Sequence, residues 1–414
     1  MTEYRRRPWL ADRAGAILSF YYPTCVDTTD GGFVAQLDPE TGEVYDWDAK
    51  HVVATARFTA NFWRGLQFCS ADSDATGTAF GDAPLTETAL RTQVARGVEH
   101  LWSAFRDDRH GGYHWRLDGG TPVSSRRVCY GHAFVLLAFA RAVSADVEGA
   151  ARGLEDVADV LDERFYEPTA GLYRSEYDET WSTAEGYRGQ NANMHACEAL
   201  LSAYEATGDR HYLDRATRLA ERLCVELTEQ TDGRIWEHYT ADWSHDFEYY
   251  RDTPDDQFRP WGFQPGHHVE WAKLLGLLDR THESAPDWLL QRARSLYDYA
   301  VTAGWDEFHG GFYYTLDRAD EPIVADKYGW PVAEAIGASA VLYERTGERR
   351  YLDDYDRFWD YAQRRLTAPA GNWYERVSRA GEPYPTSEGP AVEPGYHPIG
   401  ACFESWRSFA RRPP

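Results

Sequence analysis

Along the chain, stretches with apolar residues at three- and four-residue spacing alternate with short glycine turns flanked by aromatics. The clearest helical pair runs from Met194 to Tyr204, breaks at Thr207-Gly208-Asp209, and resumes from Tyr212 to Leu227. A near-copy runs from Val332 to Tyr343, breaks at Thr346-Gly347-Glu348, and resumes from Tyr351 to Leu366. Within these, AYEATGDRHYLDRA and LYERTGERRYLDDY match at most positions. Glycine at the end of one helix and an acidic residue at the start of the next are stop and restart signals. Six turn segments separate such pairs: Asp30-Gly31-Gly32-Phe33, His110-Gly111-Gly112-Tyr113, Thr169-Ala170-Gly171-Leu172, Asp232-Gly233-Arg234-Ile235, His309-Gly310-Gly311-Phe312 and Ala370-Gly371-Asn372-Trp373. Each leads into an aromatic or alternating stretch, such as Phe312-Tyr313-Tyr314-Thr315-Leu316-Asp317. Glycine supplies the positive φ of a tight turn and the alternation predicts a small hairpin.

The unit is therefore helix, tight turn, helix, hairpin, recurring about every 60–80 residues. Six helix pairs can close into a ring, with one helix of each pair inside and one outside. The predicted fold is all-α, an (α/α)6 barrel with short β-hairpins between helix pairs. The stretch from Ala71 to Thr88, rich in Asp, Ser, Thr, Gly and Ala, reads as a surface loop that lengthens the first unit. No shift in composition divides the chain, so residues 1–414 are expected to form one catalytic domain.

Composition changes this picture in three ways. First, 43% hydrophobic residues with 16 Trp and 27 Tyr describe a folded chain rather than a disordered one. Most of these rings are expected in the core, and some suit a cleft that stacks on sugar faces. Second, the net charge is −24 and lysine occurs only at Lys50, Lys273 and Lys327. An acidic, lysine-poor surface suits a halophilic cytoplasm, where salt screens self-repulsion within a few ångströms. Without a basic patch, nucleic acid is a poor partner. Third, Cys25, Cys69, Cys129, Cys197, Cys224 and Cys402 show no metal-like spacing and read as buried thiols of a reducing compartment. No signal peptide is read at the start, and no run reaches the 18 or so apolar residues of a membrane helix. A cytoplasmic protein is expected. A homodimer is compatible with the sequence.

Candidate chemistry sits at the start of the first helix of each unit. There the chain places Arg57, His132, His195, His267, the segment Lys327 to Pro331, and His397. Their separations follow the repeat, which predicts that they line one end of the ring and face a shared cavity. Glu198, Glu270 and Glu334 recur at a common point just downstream. His195/Glu198 and His267/Glu270 are i,i+3 pairs, in which a carboxylate can raise imidazole basicity and fix its tautomer. His397 precedes Pro398, which suits a first helical turn.

The segments TARFTANF, NMHACEALLSAYEATGD, PGHHVEWAKLL, KYGWPVAEAI and GYHPIGACFESW resemble the N-acylglucosamine 2-epimerase superfamily, which includes cellobiose 2-epimerases and mannose isomerases. The likeness covers nearly the whole chain in order. It implies a six-fold helical barrel and cofactor-free proton transfer on an open-chain sugar. By motif position it makes His267 and His397 the acid/base pair. It makes Arg57, Asn191, His195, Arg259 and Glu270 binding or orienting residues, with a sugar subsite beside Trp330. The fifth segment departs from the common pattern: many relatives have Trp-Trp and Gln-Ala-Glu where this chain has Gly329-Trp330 and Val332-Ala333-Glu334.

The residue types fit that chemistry on their own terms. Removing a proton from carbon next to a carbonyl needs a base poised near neutrality, and imidazole, with a reference pKa of ~6.5, both takes and returns it. Arg57 could stabilise the enediolate oxygen, and His267 with Glu270 could open the ring. Return of the proton to carbon 2 from the other face epimerises the sugar; delivery to carbon 1 turns an aldose into a ketose. Two rivals come from other classes. One is a glycoside hydrolase using paired carboxylates across a cleft. The other is a toroid that only binds protein. Converging histidines could hold zinc, but no HExxH-like spacing is present and no metal is expected.

Overall fold

The computed structural model describes residues 2–71, 85–256, 259–384 and 393–411. Residues 72–84, most of the predicted surface loop, lie outside the described residues. Among those described, six inner helices form the ring: α2 (Val52–Ala71), α4 (Cys129–Val143), α6 (Gln190–Thr207), α8 (Pro265–Thr281), α10 (Gly329–Thr346) and α12 (Tyr396–Ser408). Each packs on the next and α12 returns to α2, so the ring is closed. Around them lie α1 (Arg7–Tyr21), α3 (Glu87–His100), α5 (Ala150–Val160), α7 (Arg210–Cys224), α9 (Trp288–Gly304) and α11 (Arg350–Tyr361). Helices α3, α5, α7, α9 and α11 each cover the inner helix that precedes them, while α1 packs against α12 and α2. The sixth pair is thus made of the first and last helices, and the two ends of the chain close the barrel together.

Inner and outer helices differ in pattern because they differ in surroundings. Helix α4, CYGHAFVLLAFARAV, is buried on every side, since it meets two inner neighbours and its outer partner. Helix α7 buries only Leu213, Ala216, Leu219, Ala220, Leu223 and Cys224, one stripe at helical spacing. The predicted stops are real ones. Gly208 and Gly347 end α6 and α10 at φ 73° and 70°, and the Asp209 carboxylate caps α7 by accepting from His211 N–H at 2.9 Å.

All six predicted turns are present, and glycines at positive φ occupy each of them. They do more than connect helices. The strand just before an inner helix pairs with the hairpin that follows the next helix pair: Ala49–His51 with Arg116–Asp118, Arg127–Val128 with Glu176–Tyr177, Arg188–Gly189 with His238–Tyr239, and Lys327–Tyr328 with Arg376–Val377. A belt of short antiparallel pairs therefore rings the end of the barrel where the inner helices begin.

Two devices lock this belt. Carboxylates at the hairpin starts take two backbone N–H groups each and then a buried cation from the strand before the inner helix. Asp27 accepts from Thr29 and Asp30 and meets Lys50; Asp107 accepts from Arg109 and His110 and meets Arg127; Asp306 accepts from Phe308 and His309 and meets Lys327. The second device is an inner-helix side chain that takes the N–H of the residue leaving the turn: His132 from Tyr113, Asn193 from Tyr173, and His268 from Ile235. These are the fourth residues of α4, α6 and α8.

His132 is accordingly corrected. It does not face the shared cavity; its Nδ1 meets the Val128 carbonyl at 2.8 Å, its Nε2 accepts from Tyr113, and burial pulls its pKa down to about 4. None of the six cysteines is in a disulfide, and no described helix is long and apolar enough to cross a membrane.

Candidate active site

The groups that do meet at the barrel mouth come largely from the sixth residues of inner helices: Arg57 on α2, His195 on α6, Glu270 on α8 and Glu334 on α10. Two residues along a helix is a turn of about 200°, so the fourth position faces the belt while the sixth faces the axis. His267 and His397, near the first turns of α8 and α12, complete the cluster.

Each of these two histidines has a buried carboxylate on Nδ1. His267 Nδ1 lies 3.0 and 2.9 Å from the two oxygens of Glu237, and His397 Nδ1 lies 2.7 Å from Glu334 Oε1. A carboxylate there requires Nδ1 to carry the proton, which leaves Nε2 as the working nitrogen. The Gln190 amide braces the first pair, donating to Glu237 Oε2 at 2.9 Å and accepting from Trp271 Nε1 at 2.8 Å. Burial would raise both carboxylates, but the partners outweigh it: His267 and Gln190 hold Glu237 below its usual range, while Lys273 and His397 hold Glu334 at about 2. Both imidazoles lie against the Trp330 ring, whose centroid is 5.0 Å from His267 and 5.9 Å from His397.

This overturns the expected pairing of His267 with Glu270. The partner of His267 is Glu237, from the hairpin, and Glu270 instead faces His195 at 4.0 Å. Burial and the neighbouring Glu334 charge push Glu270 well above the carboxylate range, and its Oε2 is buried without a hydrogen-bond partner among the described residues. His195 does meet Glu198, at 3.3 Å as read from the sequence, and burial lowers it to about 4, so its ring is neutral at pH 7. Arg57 donates to Glu393 and to the Tyr130 hydroxyl at 3.0 Å and comes within 3.5 Å of His397 Nε2. Asn191 stands on the first turn of α6 with a buried, unpartnered Oδ1. Arg259 is not brought into the central cluster: it holds Glu185 at 2.9 Å and lies over the Tyr187 ring, whose hydroxyl meets His238 beside Glu237.

Lys273, Glu237, Gln190, Glu393 and Tyr130 were not anticipated. Lys273 carried a signal, as one of three lysines in the chain and one turn beyond Glu270. Its ammonium bonds Glu334 and is surrounded by Glu270 and Glu198, which raises its pKa despite burial. Two sets of potential metal donors arise here, His195/Glu198/Glu270 and Glu270/Glu334/His397, each with atoms within 4.8 Å. In the second set both Glu334 oxygens are already taken, by the Lys273 ammonium and the His397 N–H. The same occupancy leaves Glu334 unsuited as a glycosidase nucleophile.

Comparison with known proteins identifies the family and the fold. The chain matches the N-acylglucosamine 2-epimerase (GlcNAc 2-epimerase) family over residues 31–401. It is 37% identical over 389 residues to a D-mannose isomerase of Marinomonas mediterranea, covering 94% of this chain and 93% of that one. It is 40% identical over 292 residues to a D-mannose isomerase of Thermobifida fusca, covering 70% and 72%. A crystal structure of a D-mannose isomerase superposes with a TM-score of 0.90 at 35% identity, covering 98% of this chain and 99% of that one. The chain belongs to the N-acylglucosamine 2-epimerase family, folded as an (α/α)6 barrel, and is an isomerase that acts on a sugar.

Proposed function

We propose that the protein is an aldose–ketose isomerase for which D-mannose and D-fructose are substrate and product. The single observation that carries this reading is the pair of imidazoles, each with Nδ1 committed to a buried carboxylate and each against the Trp330 ring. The kinship with D-mannose isomerases supplies the substrate.

The steps follow from the surroundings of each group. Glu270, whose burial beside Glu334 favours the protonated carboxyl and whose Oε2 has no partner among the described residues, gives its proton to the ring oxygen as the sugar opens, and the proton lost by the anomeric hydroxyl restores it. The aldehyde oxygen needs positive charge nearby, and Arg57 beside His397 provides it. His267 Nε2 takes the carbon 2 proton, giving an enediolate, and returns it to carbon 1. His397 moves the hydroxyl proton from oxygen 2 to oxygen 1, so the carbonyl ends at carbon 2 and no atom is gained or lost. Glu237 and Glu334 stabilise whichever imidazole is momentarily charged. The site chain needs no cofactor for these steps.

Mannose, glucose, fructose, N-acetylmannosamine and cellobiose, offered separately and followed by chromatography, test the reading. Mannose and fructose should interconvert, and exhaustive EDTA treatment should leave the rate unchanged. Conversion of N-acetylmannosamine or cellobiose to its carbon 2 epimer would replace isomerisation by epimerisation. Hydrolysis of cellobiose would replace both, and EDTA inactivation reversed by zinc would contradict the metal-free scheme.

A further inference from the structure

The hairpin that supplies Glu237 has a counterpart two repeats on. Gly233-Arg234-Ile235-Trp236-Glu237-His238-Tyr239 aligns with Gly371-Asn372-Trp373-Tyr374-Glu375-Arg376-Val377. The strand registers agree residue by residue: Arg188 and Gly189 oppose Tyr239 and His238, while Lys327 and Tyr328 oppose Val377 and Arg376. The first helical residue donates its N–H to the glutamate carbonyl in both cases, Gln190 to Glu237 at 3.2 Å and Gly329 to Glu375 at 3.0 Å. Side chains at this place in other repeats turn toward the starts of the inner helices. Ser175 accepts from Gly189 N–H, Trp115 meets the His51 ring at 4.5 Å, and Tyr314 stacks on Tyr328 at 4.0 Å.

By this internal symmetry Glu375 stands to α12 and His397 as Glu237 stands to α8 and His267. The register of α12 breaks the match at one point. His397 is the second residue of its helix where His267 is the third, and it turns to Glu334 instead. Glu375 is thereby released. It is half-buried, its carboxyl makes no hydrogen bond to the described residues, and the charged groups acting on it are Glu393 and Arg57, both contacts of His397 or its helix start. Tyr21, Tyr314 and Tyr328 are its other titratable neighbours.

We infer that Glu375 is a sugar-contacting residue, its carboxyl hydrogen-bonding a substrate hydroxyl on the wall of the site that carries Arg57 and His397. This rests on the isomerase reading of the site. Burial and the Glu393 charge raise Glu375 to about 7, so near neutrality much of it is the neutral acid, able to donate as well as accept. Glutamine copies that form and alanine does not.

The test reads binding apart from chemistry, at pH 6.5. Glu375→Ala should raise KM for mannose about three- to tenfold, the fold-change of one lost hydrogen bond, with kcat within about twofold. It should weaken binding of D-mannitol, an acyclic polyol that cannot be isomerised, by a similar factor. Glu375→Gln should restore most of both. Unchanged KM and mannitol affinity in the alanine variant would overturn the inference, as would a fall in kcat with KM intact, or a glutamine variant as impaired as alanine. A wild-type enzyme that binds mannitol in a Glu375-dependent way but leaves mannose unconverted would sink the isomerase reading and keep the contact.

Discussion

His267→Asn and His397→Asn should each lower kcat by about 10²–10⁴-fold, the range a positioned acid or base contributes. Asparagine is the informative substitution because its amide N–H can still reach Glu237 or Glu334. The buried carboxylate keeps a donor, and the fold is spared the larger cost of an unpaired charge. Circular dichroism and the unfolding midpoint should therefore stay close to the wild type while mannose–fructose interconversion collapses. Either variant keeping a rate within about threefold of wild type, measured by product formation, would remove that histidine from the proton path.

Lys273→Met should be the most damaging substitution for stability among those at the site. It leaves Glu334 buried without its ammonium and next to Glu270, and breaking a buried pair from one side costs about 3–5 kcal/mol. The pH dependence has a definite sign. Glu334 is depressed to about 2 by Lys273 and His397, against ~4.3 for an unperturbed Glu. Its stabilising contribution is therefore present above the unfolded value and lost as pH falls through the folded one. The gap in urea stability between wild type and Lys273→Met should be widest near neutrality and narrow as pH drops from about 4 toward 2. A gap that does not change with pH would show that the loss comes from packing of the lysine stem, which lies over Gly337 of α10, rather than from charge. Adding Glu334→Gln to Lys273→Met should recover part of the loss, since the orphaned charge is then gone.

How much of this was readable from the residues alone depended on where the information lay. The ring was legible because helix breaks such as Thr207-Gly208-Asp209 and turns such as Gly310-Gly311 repeat in the sequence, and the structure places each where local chemistry puts it. Inner helices such as α4 are buried on all sides and carry little periodic signal, so it was the turns that set the count. That His267, His397, His195 and Arg57 come together was legible from their place at helix starts. Their pairing was not. Glu270 is one turn from His267 in sequence, and on an isolated helix it would be the obvious partner. In the closed ring the hairpin brings in Glu237, 30 residues away, and Glu270 turns to the neighbouring α6. His132 failed for a related reason: counting repeats places a residue within a few positions, and two positions on a helix separate the belt from the axis. The lysines show a third kind of silence. Their scarcity suits an acidic surface, yet all three are buried and paired, at Asp27, Glu334 and Asp306. Arginine supplies every exposed cation among the described residues.

The claim on which the rest depends is that protein imidazoles carry a proton between carbon 2 and carbon 1. Proton NMR of mannose incubated with the enzyme in heavy water reads it directly, at a salt concentration where the fold is confirmed by circular dichroism. Fructose should appear with deuterium at carbon 1, in a fraction set by how fast the imidazolium exchanges with solvent, and His267→Asn should abolish both product and label. Fructose formed with no deuterium at carbon 1, even after many turnovers and back-reactions, would mean that hydrogen moves without visiting an exchangeable group, and would contradict the histidine mechanism.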